Sequence, residues 1–485
     1  MDSYIQWLIR FSPESASVWG FREADSYISL CTDEQFHTSQ THLLDWITHH
    51  PSESNRIQYK LNHLMYHDTI PYTNVFEMIY NGIKSLPARS PAIHTRLCAY
   101  AGVDRTPLTV QLQQWIQDRS DLRFPYYKEI KKDLESVPMY MTFLKTQCES
   151  YPEWPLLERQ LNQFRDFIIQ FIQPHARTDF RMRISIYHTV LDQYGIKMSI
   201  ETLLQQAQQD RITIQKDIAQ LVRLIAKKNG WPSSYPAVLQ QIQAHQIAAD
   251  QMISHYHQRL TEIEHILRTH RLLNVPDVPC RIRYATPEEN MVPIPFYNSP
   301  ALHESTRGEF VVPLSSMDDT GTEAGSWSIV VHEARPGHEL QFNRYQHRSL
   351  LEKMCGWTAA HSEGWALYAE YLMYPHMPME AQLLSLKYKW LRVVRTLFDI
   401  QLNDGQITVA EALAYLIQTM GLSEDMAQLE IDRMTFLSRG QSVSYYAGFC
   451  MILEKRVEYF IAHPHATLYD FHEWLLELPP EQWFG

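Results

Sequence analysis

Residues 200–228 read IETLLQQAQQDRITIQKDIAQLVRLIAKK. Leu203, Leu204, Ala207, Ile214, Ile218, Leu221, Val222 and Ile225 recur at the three- and four-residue intervals that place apolar groups on one face of an α-helix. Asn229-Gly230-Trp231-Pro232 follows at once and stops it, because glycine tolerates left-handed dihedrals and proline cannot continue the hydrogen-bond ladder. A second long helix is expected from about Ala237 to Thr269, closed by Pro276 and Pro279. Upstream, Pro51, Pro87, Pro91, Pro107 and Pro152 cut the chain into shorter helices. Residues 1–275 therefore read as an N-terminal helical region.

The pattern changes after Val275. Arg281 to Ala285 alternates as a strand does, and Glu309 to Leu314 is a β-branched run. Pro293, Pro295 and Pro300 lie between them, so the sheet is expected to be small and irregular. Helical periodicity returns at Trp327–Arg344, Ser362–Met373, Ala381–Leu402, Val409–Met420 and Tyr446–Phe460. The fold class is mainly α: a large helical body with a small inserted β-sheet. Residues 276–485 carry the sheet and the candidate site, and the two regions are read as one continuous helical body.

Composition narrows the function classes. The chain has 43 Lys and Arg against 55 Asp and Glu, a formal net charge of −12, with no basic run. That speaks against a nucleic-acid partner. Its six cysteines are scattered without a CxxC pair, against a disulfide scaffold or a thiolate zinc site. No stretch reaches the apolar length of a membrane helix, and Met1 to Arg10 lacks a secretory leader's character. The expectation is a cytoplasmic protein that needs no membrane; oligomeric state is not legible.

Chemistry concentrates in Val331-His332-Glu333-Ala334-Arg335-Pro336-Gly337-His338-Glu339. Two imidazoles beside a glutamate suit a zinc hydrolase: the histidines bind metal and the glutamate takes a proton from water. The spacing is unusual. Residues i and i+6 lie about 240° apart on an ideal helix, so His332 and His338 would face apart. Pro336-Gly337 offers the remedy, and the segment is expected to bulge or break at Arg335 to Gly337. Downstream, Glu363 and Glu370 are seven residues apart, about 20° from one face. One carboxylate completes a two-histidine-one-carboxylate site, and the other is left two turns away as a partner for a ligand. Ser362 as helix cap, with Glu363 in the first turn, is the plainer reading of the same residues. His361 reads as a surface histidine.

HEARPGHELQ followed by EGWALYAEYL resembles the domain of unknown function 885 family, whose pattern is HEAxPGHxxQ then EGWAxYxE. The likeness continues through Arg392 to Arg395, Asp399, Glu430 to Arg433, Gly440 to Tyr445 and Gly448, and upstream through Tyr297 to Pro300 and Arg307 to Phe310. That family is similar to the carboxypeptidase Taq and oligopeptidase group of helical zinc peptidases. The resemblance implies a gluzincin-like architecture with a deep cleft. It implies His332, His338 and Glu363 as zinc ligands and Glu333 as the catalytic base. Tyr445 falls where the family has a tyrosine facing the site, with Tyr446 as its rival for donating to an oxyanion. Glu370, Arg395 and Gln441 are expected around the centre, as partners of ligands or substrate contacts. Asn403 stands where the family has histidine, and Arg439 where it has proline.

The expected activity is zinc-dependent hydrolysis of peptide or amide bonds in a small substrate. The strand Glu309 to Leu314 is expected to hold an extended peptide along its edge. Two alternatives keep the same residues: a non-haem iron enzyme, or a helical scaffold without catalysis.

Overall fold

A computed structural model describes residues 3–30, 32–50, 52–70, 74–87, 90–286, 289, 294–300, 307–313, 319–479 and 482–483, the side chains of 53, 54, 351, 354 and 355 excepted. Helix makes up 71% and strand 4%, so the mainly helical class holds. The chain forms two compact units, Met1–Met182 and Arg183–Pro300 with Thr306–Gly485. The division thus falls at 182 and not at 275. Helices between those points belong with the later residues because their apolar stripes are buried there: Ile200–Asn229 packs along Met379–Asn403.

In the first unit, short helices surround a core that includes Phe76, Ile79, Leu97, Leu112, Ile130, Leu144, Leu161 and Phe164. Arg96 is fully buried within it and donates to the carbonyls of Tyr27, Gly82, Pro13 and Ala24 and to Ser17 Oγ. Those acceptors satisfy a guanidinium that would otherwise be costly to bury.

The second unit begins its long helix where expected. Ser199 caps Ile200–Asn229 by accepting from Thr202 N at 3.1 Å, and Gly230 ends it at φ 70. The helix expected over Ala237–Thr269 is instead two, Tyr235–Gln243 and Met252–Thr269. Between them the backbone leaves the helical path to pair with distant chain: Ile247 N donates to Gly321 O at 2.9 Å and Glu323 N to His245 O at 3.2 Å.

Three strands form the sheet: β1 (Ile282–Tyr284), β2 (Phe296–Asn298) and β3 (Glu309–Val312). β3 is central, parallel to β1 and antiparallel to β2. Both edges of β3 are therefore used, and it cannot hold a peptide as expected; Leu314 lies outside the described residues.

Two glycines set the distance between the Ala359–Met373 and Gln441–Ala462 helices. A Cβ on Gly364 would meet Gly448 C at 2.5 Å, and one on Gly448 would meet Ala360 O at 1.9 Å. Any larger residue would separate the backbones, and with them Glu363 and Tyr445, which flank the glycines.

Candidate metal centre

The His-Glu segment leaves regular α-helix as its spacing requires. Gly325–Ile329 is α-helical, Val330–Ala334 is a π-helical turn, and a new helix starts at His338. Between them, Arg335 is extended (φ −121, ψ 137) ahead of a cis Pro336. Gly337 N donates back to Val331 O at 2.9 Å. At Gly337 a Cβ would lie 1.9 Å from His332 O, so only glycine fits this fold-back. Trp365 Nε1 holds Pro336 O at 2.8 Å from the helix that also carries Glu363. Arg335 is buried and donates to Glu339, Glu264 and the carbonyls of Pro276 and Val278.

The loop returns His338 to His332, their rings 4.9 Å apart and near perpendicular at 87°. Glu363 Oε2 lies 3.4 Å from His332 Nε2 and 3.5 Å from His338 Nε2. This oxygen is buried and has no hydrogen-bond partner. Two ligands bound at 2.0–2.1 Å in a tetrahedron sit about 3.3 Å apart. Glu363 Oε2 therefore stands from each imidazole nitrogen at the spacing of two donors around one zinc-sized ion. Glu333 stands slightly further off, its Oε1 3.9 Å from His332 Nε2, and with the two histidines it forms a buried group able to hold metal. Distance favours Glu363 as the ligand and leaves Glu333 beside it.

Helix capping also separates the readings of Glu363. Thr358, not Ser362, caps the helix Ala359–Met373, so Glu363 stands beyond the first turn where the dipole acts. Glu370 accepts from His332 Nδ1 at 2.8 Å and from Arg392 at 3.2 Å. That fixes the tautomer and turns Nε2 toward Glu363. His338 Nδ1 is buried without a hydrogen-bond partner.

The charges respond to one another. Burial opposes ionisation of Glu363, but the two imidazoles outweigh it and hold the carboxyl well below its ordinary value. Burial, with the nearby Glu363 charge adding to it, pushes Glu333 up against the pull of both histidines and a backbone hydrogen bond from Tyr297 on β2. Tyr445 is pushed up to about 12 by burial and by Glu363, so its hydroxyl keeps its proton.

Other expected residues stand elsewhere. Arg395 is clamped by both oxygens of buried Glu430 at 2.5 Å and lies under the Tyr445 ring, 5.4 Å from its centre. Its guanidinium is spent on position, not offered to a substrate. Tyr446 donates to Asp210 at 2.9 Å on another face of the helix. Gln441 opens that helix, its carbonyl accepting from Ser444 Oγ, and none of the described cluster contacts is its own. His361 is buried, not on the surface, with Tyr345 Oη at 2.9 Å from its Nε2. Asn403 donates to Asp399 O and Met434 O in a buried network apart from the metal cluster. A cavity of about 360 Å³ lined by Trp231, His245, Arg259 and Trp327 contains none of these site residues.

The family described as "Bacterial protein of unknown function (DUF885)" matches residues 104–478. The chain belongs to the DUF885 family. Its fold is shared with the "putative lipoprotein from Colwellia psychrerythraea" (TM-score 0.78, 15% identity, covering 99% of this chain and 96% of that one). A "putative lipoprotein of unknown function from Shewanella oneidensis" is similar at TM-score 0.74 and 18% identity, with the same coverage. No curated protein matches. The cytoplasmic expectation is overturned by these neighbours, both described as putative lipoproteins; it rested on the lack of a visible leader and of a membrane-length apolar stretch.

In this DUF885 chain sequence reasoning missed Arg433, whose Nη2 is 3.5 Å from Tyr445 Oη. It also missed Trp365 as the clamp on Pro336 and Tyr297 as a donor to Glu333. Each contact joins residues of different elements, so helical spacing does not reveal it, although Tyr297, Trp365 and Arg433 all lie in stretches of the family likeness.

Proposed function

We propose that the chain is a zinc-dependent hydrolase of peptide or amide bonds, related to the gluzincin-like metallopeptidases. The observation that carries this reading is the buried, unpartnered Glu363 oxygen at 3.4 and 3.5 Å from two imidazole nitrogens. His332, His338 and Glu363 would hold the ion. Zinc held there would supply Lewis-acid polarisation of a carbonyl and the acidification of a water.

The chain's own groups supply the rest. Glu333 receives the proton of the attacking water and delivers it to the departing nitrogen. Burial favours its protonated form, which makes it the stronger base for the first transfer. Tyr445 donates its hydroxyl proton in a hydrogen bond to the oxyanion, steadied by Arg395 below its ring and Arg433 beside its oxygen. Glu370 keeps His332 in the donor orientation. The stacked rings of Phe342 and Trp357, 4.4 Å apart, and Tyr297 against Phe342 supply an apolar wall beside His338.

A peptide-library cleavage assay tests the reading. Stripping the metal should abolish cleavage, and zinc should restore it. Full activity in the stripped protein, or restoration by iron with oxygen consumption in place of hydrolysis, would reject it.

A further inference from the structure

Among the described residues two groups of side chains converge as metal ligands do, and the second lies in the first unit. We propose that His94, Cys98 and Glu153 form a separate transition-metal site that takes a zinc- or cobalt-class ion through one imidazole, one thiolate and one carboxylate. It depends on no part of the hydrolase reading.

Position comes from two helices. His94 and Cys98 are one turn apart on Pro91–Ala101, hence on one face. Arg96, between them, points the other way and anchors that helix to five buried acceptors. Glu153 is the N-cap residue of Trp154–Phe167, yet its side chain makes no capping hydrogen bond. It turns to His94 instead. Tyr151 stacks on the imidazole, 5.6 Å away and 14° from parallel, which holds the ring in place.

The spacing is that of a coordination shell. Glu153 Oε2 lies 3.1 Å from His94 Nε2, and Cys98 Sγ lies 3.5 Å from the same nitrogen. Tetrahedral bonds of 2.0–2.1 Å to nitrogen or oxygen and 2.3 Å to sulfur give edges of about 3.3 Å for N···O and about 3.5 Å for N···S. Oε2 is buried and faces both His94 and Cys98. An imidazole with one proton on Nε2 could serve only one of its two neighbours; an ion between the three atoms serves all. Imidazole with thiolate selects a borderline-soft divalent ion over magnesium or calcium. Binding releases the thiol proton to solvent and involves no redox change. Reading the cysteines only against one another misses the site, because the partner of Cys98 is a histidine one turn earlier.

The test loads the full-length, reduced protein with Co²⁺ and records the near-ultraviolet spectrum. The His332/His338/Glu363 cluster holds no sulfur, so a thiolate-to-cobalt charge-transfer band reports the second site alone. The band should be present in the parent chain and in Glu363→Ala, and lost in Cys98→Ser and in His94→Gln. Cys98→Ser should also bind one metal equivalent fewer than the parent. No band in the parent, or a band that persists in Cys98→Ser, would overturn the proposal and leave an ion pair with a neighbouring thiol.

Discussion

Replacing Glu333 by glutamine separates chemistry from binding, since the amide keeps the shape of the carboxylate but not its basicity. Zinc content should be unchanged and turnover should fall by at least ~10²-fold, the lower range for a general base; near-normal turnover would remove Glu333 from the reaction. Glu370 acts through His332, so Glu370→Gln should weaken zinc by ~10–100-fold in a chelator competition carried out in the Cys98→Ser chain. Unaltered affinity would mean that the 2.8 Å contact only fills space. Asp399 makes a different prediction. Burial outweighs its hydrogen bonds from Tyr187 and Gly440 and pushes its carboxyl up to about 7 from an ordinary 3.8. The folded chain thus holds a proton that the unfolded chain gives up between those values. Its contribution to stability is full below 3.8 and is lost as the pH rises through 7. Denaturation midpoints should fall across that window in the parent and fall less in Asp399→Asn; parallel slopes would count against it.

At the scale of elements, the approach of two helices decides whether Glu363 reaches the histidines. Gly448→Ala would put a methyl 1.9 Å from Ala360 O and should cost about 1–3 kcal/mol as the helices part. Zinc should weaken with it, because Glu363 is adjacent to Gly364. Gly230→Ala is the control: it sits at φ 70 with nothing within 4 Å and should cost about 1 kcal/mol without touching zinc. Zinc affinity lowered equally in both would show a general effect of instability. What was legible at this scale was local. The 200–229 helix ended within one residue of its expected end, since Gly230 and Pro232 act on their neighbours alone. The break at 335–337 was legible for the same reason. The interruption at 244–251 was not, because residues 321–323 impose it from a distance and no glycine or proline marks it. The pairing of β3 on both sides was hidden likewise, since an edge and a central strand of four residues read alike.

On the scale of the whole chain, the sequence carried the fold class and gathered the candidate residues of the proposed centre in two short motifs, while the choice of Glu363 over Glu370 came from the family likeness. It carried less of the surroundings. Arg395 read as a ligand partner or substrate contact because Glu430, which holds it, lies on another helix, and the boundary at 182 has no composition change to mark it. Among the described residues no helix is long and apolar enough to cross a membrane. The measurement closest to the central claim is zinc retained per chain, after removal of free metal, in the parent, Glu333→Gln and Glu363→Ala side by side. Glu363→Ala should hold about one zinc fewer than the parent and show no hydrolysis, while Glu333→Gln holds as much as the parent. Equal zinc in the parent and Glu363→Ala, or iron in its place in the parent, would contradict the assignment of His332, His338 and Glu363 as a zinc site.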